Sequence, residues 1–231
     1  MCGLIAAFSI APLTDAALHA GLAQLRTRGP DGEVIWHEDG AWLGHRRLAI
    51  LDLDPRAAQP MHSACGRYVI VFNGEIYNYR ELRAQLQAQG VAFRTTSDTE
   101  VLLALFAIHG EAMLPQLHGM FAFAIWDRHA QRAFVARDPY GIKPLYLARV
   151  ADGIVLGSQV KALLATGLVD AAPDRFIGFA SVDPFRPDAA EVLEHAFADL
   201  KLKGLKLHPS RQRFYPMDAR CAVLYDICEK Y

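Results

Sequence analysis

The chain has 231 residues, of which 52% are hydrophobic and 21% are charged, so it has enough apolar material for a sizeable globular core. Its formal net charge of −1 gives no reason to expect nucleic acid or an anionic membrane as a partner. No apolar run approaches the roughly 18 residues of a membrane-spanning helix, and the first residues lack the basic leader of a secretion signal. With 4 cysteines and no Cys-x-x-Cys pair, we expect a reduced, cytoplasmic protein.

Apolar spacing and turn residues predict the following elements. Helices are expected at 14–26, at 82–90, at 101–109 and at 158–166. Strands are expected at 33–37, 42–50, 67–72, 119–127, 132–137, 145–149 and 154–157. The dipeptide Asp39-Gly40 predicts a tight hairpin, and Asn73-Gly74-Glu75 is expected to end the strand before it. Many antiparallel-looking strands with helices grouped before and between them indicate an α+β layered domain.

The second residue is a candidate nucleophile. If Met1 is removed, Cys2 carries a thiol and a free α-amine on the same Cα. An α-amine titrates near ~7.7–8.0, so much of it is neutral at working pH and can accept the thiol proton. The alternative reading is a small apolar residue that packs in the core, as free cysteines usually do.

Candidate partners for such a nucleophile follow Phe72 in the sequence. A thiolate that attacks an amide carbonyl needs hydrogen-bond donors aimed at the developing oxyanion. The side-chain amide of Asn73 and the backbone N–H of Gly74 are adjacent donors of this kind. The alternative is a simple Asn-Gly turn.

An amino-acid substrate would need charged residues for its two charged groups. Arg46 and Arg47 are candidates for its α-carboxylate, because a guanidinium matches carboxylate geometry. Glu75 and Asp98 are candidates for its α-ammonium. Ser97 and Glu100 have the spacing of a helix capping box, which leaves Asp98 free for function.

Several motifs in order resemble one family. They lie at residues 2–5, 28–32, 44–50, 59–61, 72–79, 97–100 and 137–146. Together they resemble the class II glutamine amidotransferase domain, an N-terminal-nucleophile hydrolase, over roughly residues 2–165. The strings at 73–79 and 119–127 are most similar to glutamine-hydrolysing asparagine synthetases. The resemblance implies a four-layer αββα sandwich with the nucleophile between two antiparallel sheets.

The resemblance also implies a role for each matching position. Cys2 would form a γ-glutamyl thioester, and Asn73 and Gly74 would form the oxyanion hole. Arg47, rather than Arg46, would bind the glutamine carboxylate, while Glu75 and Asp98 would hold its ammonium. The remaining positions shape the pocket: main chain at Leu48, Ile50 and Leu51, and a loop over the nucleophile at Arg28 and Gly29. For the segment 137–144 we expect an ordering turn, with Arg137 and Asp138 as an internal ion pair.

The pattern changes after about Thr166. The chain contains no Ser-Gly-Gly-x-Asp-Ser pyrophosphate loop, so we expect no ATP site. We also expect no other cofactor and no metal. Strands at 176–182 and 204–209 and helices at 188–202 and 218–230 predict a β-α-β-α segment. It resembles a fragment of a metal-dependent amidohydrolase barrel. We therefore expect an amidotransferase domain at 2–172, without its last strands, fused near 171–174 to a second segment at 173–231.

Three functions remain open at this point. The first is a glutaminase that acts on L-glutamine and has a possible ammonia-accepting synthetase partner, with no nucleic acid or membrane involved. The second is an inactive or regulatory glutamine-binding protein. The third, which the sequence supports least, is a metal-dependent hydrolase that uses the C-terminal segment. That segment has too little core to stand alone and is a possible route to an oligomer.

Overall fold

Two units make up the chain in the computed structural model, one at Met1–Asp170 and the other at Ala171–Tyr231. The structure describes residues 2–9, 13–150, 153–169, 184–199, 205 and 218–231.

Strands and helices alternate in groups through the first unit. Its described strands are β1 Gly3–Phe8, β2 Gly32–Glu38, β3 Ala41–Arg47, β4 Met61–His62, β5 Tyr68–Ile76, β6 Gly119–Asp127, β7 Arg132–Arg137, β8 Tyr146–Val150 and β9 Gly153–Gly157. Its described helices are α1 Asp15–Ala23, α2 Tyr79–Ala88, α3 Asp98–His109 and α4 Val160–Ala165, with short 3-10 helices at Pro55–Ala57 and Gly110–Gln116.

The strands form two antiparallel sheets. Among the described residues the first sheet has the order β2-β3-β1-β9-β8, and the second has the order β4-β5-β6-β7. The predicted hairpin joins β2 to β3, with Gly40 at a φ of +79°. A left-handed φ of this kind favours glycine, so the Asp39-Gly40 turn was readable from the sequence.

The pleat of the strands sorts apolar side chains into three packed layers. In β1, Leu4 and Phe8 point between the sheets, whereas Ile5 and Ala7 point outward onto α1 and α4. The second sheet likewise packs its outer face, including Phe123, against α2 and α3. The order of layers is helix, sheet, sheet, helix, which confirms the predicted α+β sandwich of antiparallel sheets.

Two predicted strand ends are wrong, since β3 ends at Arg47 and not at Ile50, and β5 is longer than predicted. β5 does not stop at Phe72 but continues through Ile76, with Asn73 opposite Ala122 and Gly74 opposite Phe121 of β6. Pairing with a neighbouring strand therefore overrides the local turn preference of the Asn-Gly dipeptide.

The predicted ion pair between Arg137 and Asp138 is also wrong. The Arg137 guanidinium donates to the carbonyl oxygens of Gly141 and Lys143, at 2.5 and 2.6 Å. The Asp138 carboxylate accepts backbone N–H groups from Phe121, Ile142 and Lys143. Both side chains thus order the turn after β7 through its main chain, because backbone donors and acceptors in a tight turn need partners.

The second unit contains two described helices, α5 Ala189–Ala198 and α6 Ala219–Lys230. They pack through Leu193, Phe197, Leu224 and Ile227, and both lie within the predicted helical ranges. The predicted strand at 176–182, and that at 204–209 apart from Leu205, lie outside the described residues. Within the described ranges, no helix is long and apolar enough to cross a membrane.

Packing between the sheets predicts a large cost for removing one ring. Phe8 is 4% exposed and stacks on Trp126 across the two sheets, with ring centroids 5.5 Å apart. We expect Phe8→Ala to lower the free energy of unfolding by about 3–5 kcal/mol, because it removes buried surface and leaves a cavity. Urea denaturation measures this change. The control Tyr140→Ala alters a side chain that is 89% exposed and should stay within about 0.5 kcal/mol of wild type. A loss at Phe8 no larger than that of the control would contradict the packing described.

Candidate active site

The layer between the sheets changes from apolar to polar at one end. Cys2 has the same strand parity as Leu4, which points between the sheets. Asn73 and Glu75 have the same parity as Val71, which points into the same layer from β5. Because side chains alternate along a strand, the pleat alone directs the sulfur and these two polar side chains toward one another.

A pocket with a cavity volume of about 140 Å³ lies at this end of the layer. All nine predicted site residues line it: Cys2, Arg47, Leu48, Ile50, Leu51, Asn73, Gly74, Glu75 and Asp98. The structure thus brings together residues from β1, β3, β5, the loop after β3 and the start of α3.

The Cys2 sulfur is held against the main chain of Leu48. Its Sγ accepts from the Leu48 N–H at 3.3 Å and lies 3.6 Å from the Leu48 carbonyl oxygen. Burial raises the pKa of the thiol, and the hydrogen bond from Leu48 only partly opposes that effect. The thiol is therefore the resting form at neutral pH, and forming the thiolate requires a base.

The loop between α1 and β2 fixes the other side of Cys2. Arg28 donates from Nε to the carbonyl oxygen of Cys2 at 3.0 Å. A Cβ on Gly29 would lie 2.4 Å from the carbonyl carbon and oxygen of Arg46, so only glycine permits this loop to lie against β3. These two residues act on the backbone around Cys2, as expected of a loop over the nucleophile.

The side-chain amide of Asn73 is buried and has an N–H donor without a hydrogen-bond acceptor among the described residues. The residue is 1% exposed, and the unpaired donor is its Nδ2. Leaving such a group unpaired costs about 1–3 kcal/mol, so an unpaired donor in a pocket wall indicates a ligand atom. The next residue must be glycine, since a Cβ at Gly74 would lie 2.4 Å from the Met120 carbonyl oxygen.

The two adjacent arginines face opposite sides of β3. Arg46 pairs with Glu33 and donates to the Leu22 carbonyl oxygen of α1, outside the inter-sheet layer. Arg47 lines the pocket, and its Nη2 is anchored by the carbonyl oxygens of Asp52 and Asp54 at 2.5 and 3.2 Å. Strand parity therefore selects Arg47 as the pocket residue.

The acidic end of the pocket is built on the first turn of α3. Ser97 caps the helix by accepting the Glu100 N–H, as the capping box predicts. The reciprocal bond is not formed, because the Glu100 carboxylate accepts from Arg94 and Thr95 instead. This arrangement holds the loop before α3 and presents Asp98 to the pocket.

Asp98 has a pKa well above that of an ordinary aspartate. Its pKa is raised to about 6, mainly by burial and to a smaller extent by the neighbouring Glu75 carboxylate, while hydrogen bonds from the N–H groups of Ile76 and Thr99 oppose the rise. A cation that enters the pocket would favour the ionised form. With Arg47 also in the wall, the pocket presents opposite charges, as a zwitterionic amino acid requires.

Gln59 and Lys143 are among the pocket residues that were not predicted as site residues. Gln59 is 7% exposed and is hydrogen-bonded to Phe72 of β5 and to Thr99 of α3. In the sequence, the only sign of a role for Gln59 was its place in the motif at 59–61. Lys143 is 2% exposed, and burial together with the Arg28 guanidinium lowers its pKa. The sequence suggested only a turn there, because nothing in residues 137–144 shows that the turn folds back onto Cys2.

No group of three or more His, Cys, Asp or Glu side chains in the described part of the chain has a geometry that could hold a metal ion.

The sequence matches the family model described as a glutamine amidotransferase domain over residues 1–182. This chain belongs to that family. The matched range ends beyond the expected boundary at residue 172 and beyond the division between the two structural units.

Named relatives of this amidotransferase domain include glutamine-hydrolysing asparagine synthetases. Asparagine synthetase 1 of Bacillus subtilis is 41% identical over 169 residues, a match covering 71% of this chain and 27% of the relative. Asparagine synthetase B of Escherichia coli is 39% identical over 170 residues, covering 71% of this chain and 30% of the relative. The chain thus spans less than a third of the length of these two relatives.

Solved structures agree with the fold. Glutamine phosphoribosylpyrophosphate amidotransferase from B. subtilis superposes with a TM-score of 0.62 at 26% identity, covering 72% of this chain and 44% of that one. This likeness in fold and sequence supports the resemblance of the domain's motifs to those of the N-terminal-nucleophile hydrolases.

Proposed function

We propose that this domain hydrolyses L-glutamine to L-glutamate and ammonia through a thioester on Cys2. The observation that carries the proposal is the buried Asn73 amide, whose donor is unpaired in the wall of the pocket that also contains the Cys2 sulfur. The family match supports the same chemistry. The proposed reaction needs no cofactor.

The first step is activation of the thiol. Because burial keeps the Cys2 thiol protonated, the reaction needs a nearby base. Once Met1 is removed, the α-amine of Cys2 is such a base, since its pKa of ~7.7–8.0 leaves a large neutral fraction at pH 7–8. The thiol proton passes to the amine, and the thiolate attacks the side-chain carboxamide carbon of glutamine.

Stabilisation of the oxyanion follows. As the S–C bond forms, the carboxamide oxygen gains negative charge and accepts hydrogen bonds from Asn73 Nδ2 and the Gly74 N–H. The intermediate collapses by breaking the C–N bond, and the amine returns its proton to the leaving ammonia. Water then attacks the thioester through a second oxyanion, releasing glutamate and restoring the thiol.

Substrate binding uses the two ends of the pocket. Arg47 is preorganised by main-chain carbonyl oxygens to receive the α-carboxylate. Asp98 and Glu75 receive the α-ammonium. We further propose that the ammonia is consumed by a synthetase-type acceptor enzyme, because the two relatives described above, which combine a matching segment with additional chain, are named asparagine synthetases.

An ammonia-release assay on chains lacking Met1 tests the nucleophile and the oxyanion hole. Cys2→Ala should abolish turnover. Asn73→Ala should lower kcat about 10²–10³-fold with little change in KM, because its donor acts on charge that develops in the transition state. The control Asn78→Ala alters a nearby amide that donates to Gln116, so kcat should not change. Cys2-independent ammonia release at the wild-type rate would remove the proposal.

The arginine pair gives a matched test of carboxylate binding. We expect Arg47→Leu to raise KM about 10- to 100-fold, since a hydrogen bond to a charged group contributes about 1.5–3 kcal/mol. Arg46→Leu breaks the pair with Glu33 and should change stability but not KM. Steady-state kinetics on both variants decides the assignment, which fails if Arg46→Leu has the larger KM.

The raised pKa of Asp98 predicts that glutamine binding weakens in acid. Below pH 6 the free protein holds Asp98 protonated, and a proton must leave before the carboxylate can pair with the ammonium. Calorimetry on Cys2→Ala should therefore show Kd rising about tenfold per pH unit as the pH falls below about 6. Adding Asp98→Asn should weaken binding and remove this slope. A slope that persists in the double variant would assign it to another group and would contradict the role of Asp98.

A further inference from the structure

Beyond its short pairing with β4, the edge of β5 that faces away from β6 is hydrogen-bonded by side chains. Arg67 and Tyr77 flank β5, and their backbone groups bond toward β6. The Arg67 carbonyl oxygen accepts from the Arg128 N–H, and the Tyr77 N–H donates to the His118 carbonyl oxygen. In an antiparallel ladder the backbone groups of successive residues alternate in direction. The groups of even-numbered residues in β5 therefore point to the opposite edge.

Among the residues that the structure describes, a strand lies beside only the start of this edge. There Ile70 lies opposite Met61 of β4, which is two residues long. At Phe72 side chains take over: its N–H donates to Gln59 Oε1 at 2.6 Å, and its carbonyl oxygen accepts from His45 Nε2 at 3.1 Å. Gly74 follows on the same edge, so its N–H points toward the pocket and not toward β6.

Hydrogen bonds connect the first turn of α3 to β5 on both sides of Gly74. On one side Asp98 accepts the Ile76 N–H at 3.1 Å. On the other, Gln59 Nε2 donates to Thr99 Oγ1 at 3.2 Å while its Oε1 accepts from Phe72. The backbone between Phe72 and Ile76, which includes Asn73 and Gly74, is therefore held at both ends.

His45 is suited to this task because it is a buried, neutral donor. It projects from β3 of the other sheet and is 1% exposed. Burial lowers its pKa to about 4, so the imidazole is uncharged at neutral pH. With the Phe72 carbonyl oxygen as its partner, Nε2 must carry the proton. The bond thus ties the sheet that leads from Cys2 to the strand that carries Asn73.

We propose that His45 and Gln59 are positioning residues that set the direction of the two oxyanion donors, Asn73 Nδ2 and the Gly74 N–H. Both act through Phe72, the residue directly before the donors, and the amide nitrogen and oxygen of Gln59 are already bonded to protein. Preorganised donors stabilise an oxyanion only when they are aimed before charge develops, and a displacement of about 1 Å costs up to about 10²-fold in rate. This inference rests on the proposed glutaminase function.

Variants at His45 separate positioning from general structure. His45→Leu removes the donor to Phe72, whereas His45→Gln keeps a side-chain N–H at a similar reach. We expect His45→Leu to lower kcat for glutamine about 10- to 100-fold with KM changed less than about threefold, and His45→Gln to recover most of the loss. Alkylation of Cys2 by iodoacetamide displaces iodide and develops no oxyanion, so its rate should be unchanged in both variants.

Thr99→Val provides a second measurement that does not depend on the folding of His45→Leu. It removes the acceptor for Gln59 Nε2 while keeping the shape of the side chain, and it should lower kcat with KM and alkylation unchanged. The positioning role is overturned by a wild-type kcat in both His45→Leu and Thr99→Val, by parallel loss of alkylation and kcat, or by a His45→Gln variant no more active than His45→Leu. A wild-type chain without Cys2-dependent ammonia release would instead remove the proposed function itself, and the inference with it.

Discussion

The site depends on one constraint: strands β1 and β5 belong to different sheets and face each other across the layer between those sheets. Leu4 and Val71 fill that layer with hydrocarbon, and the same strand parity carries Cys2 and Asn73 into it where the apolar residues end. The packing that stabilises the sandwich therefore also directs the Cys2 sulfur and the Asn73 amide into the same pocket. Residues far apart in sequence need no flexible loop to meet, because rigid strands hold them.

The polar end of this layer is costly for stability. Asn73 keeps an unpaired buried donor, and Asp98 is a buried acid with a pKa of about 6 beside another carboxylate. Both features are unfavourable without a ligand, and the proposed substrate would relieve them, since an oxyanion would pair with the amide and an ammonium would pair with the ionised acid. Such unfavourable features typically occur at functional sites and persist because the surrounding core overcomes their cost.

Much of the fold and all nine lining residues named from the sequence were predictable, because strand alternation and ordered motifs are local signals. The course of β5 through Asn73 was not, since an Asn-Gly pair favours a turn until β6 pairs with it. The partners of Arg137 were also missed, because they depend on how a turn closes. Gln59 joins Phe72 and Thr99, which are 13 and 40 residues away, so its role is visible only in the folded chain.

The central claim is that the sulfur of Cys2, with its own freed α-amine as base, is the nucleophile of this pocket. The most direct measurement is mass spectrometry of the chain after reaction with a diazoketone analogue of glutamine, which alkylates a nucleophile with loss of dinitrogen. The account predicts a single adduct on Cys2, formed in chains that lack Met1 and blocked by excess glutamine. An adduct on another residue, or equal labelling of chains that retain Met1, would contradict it.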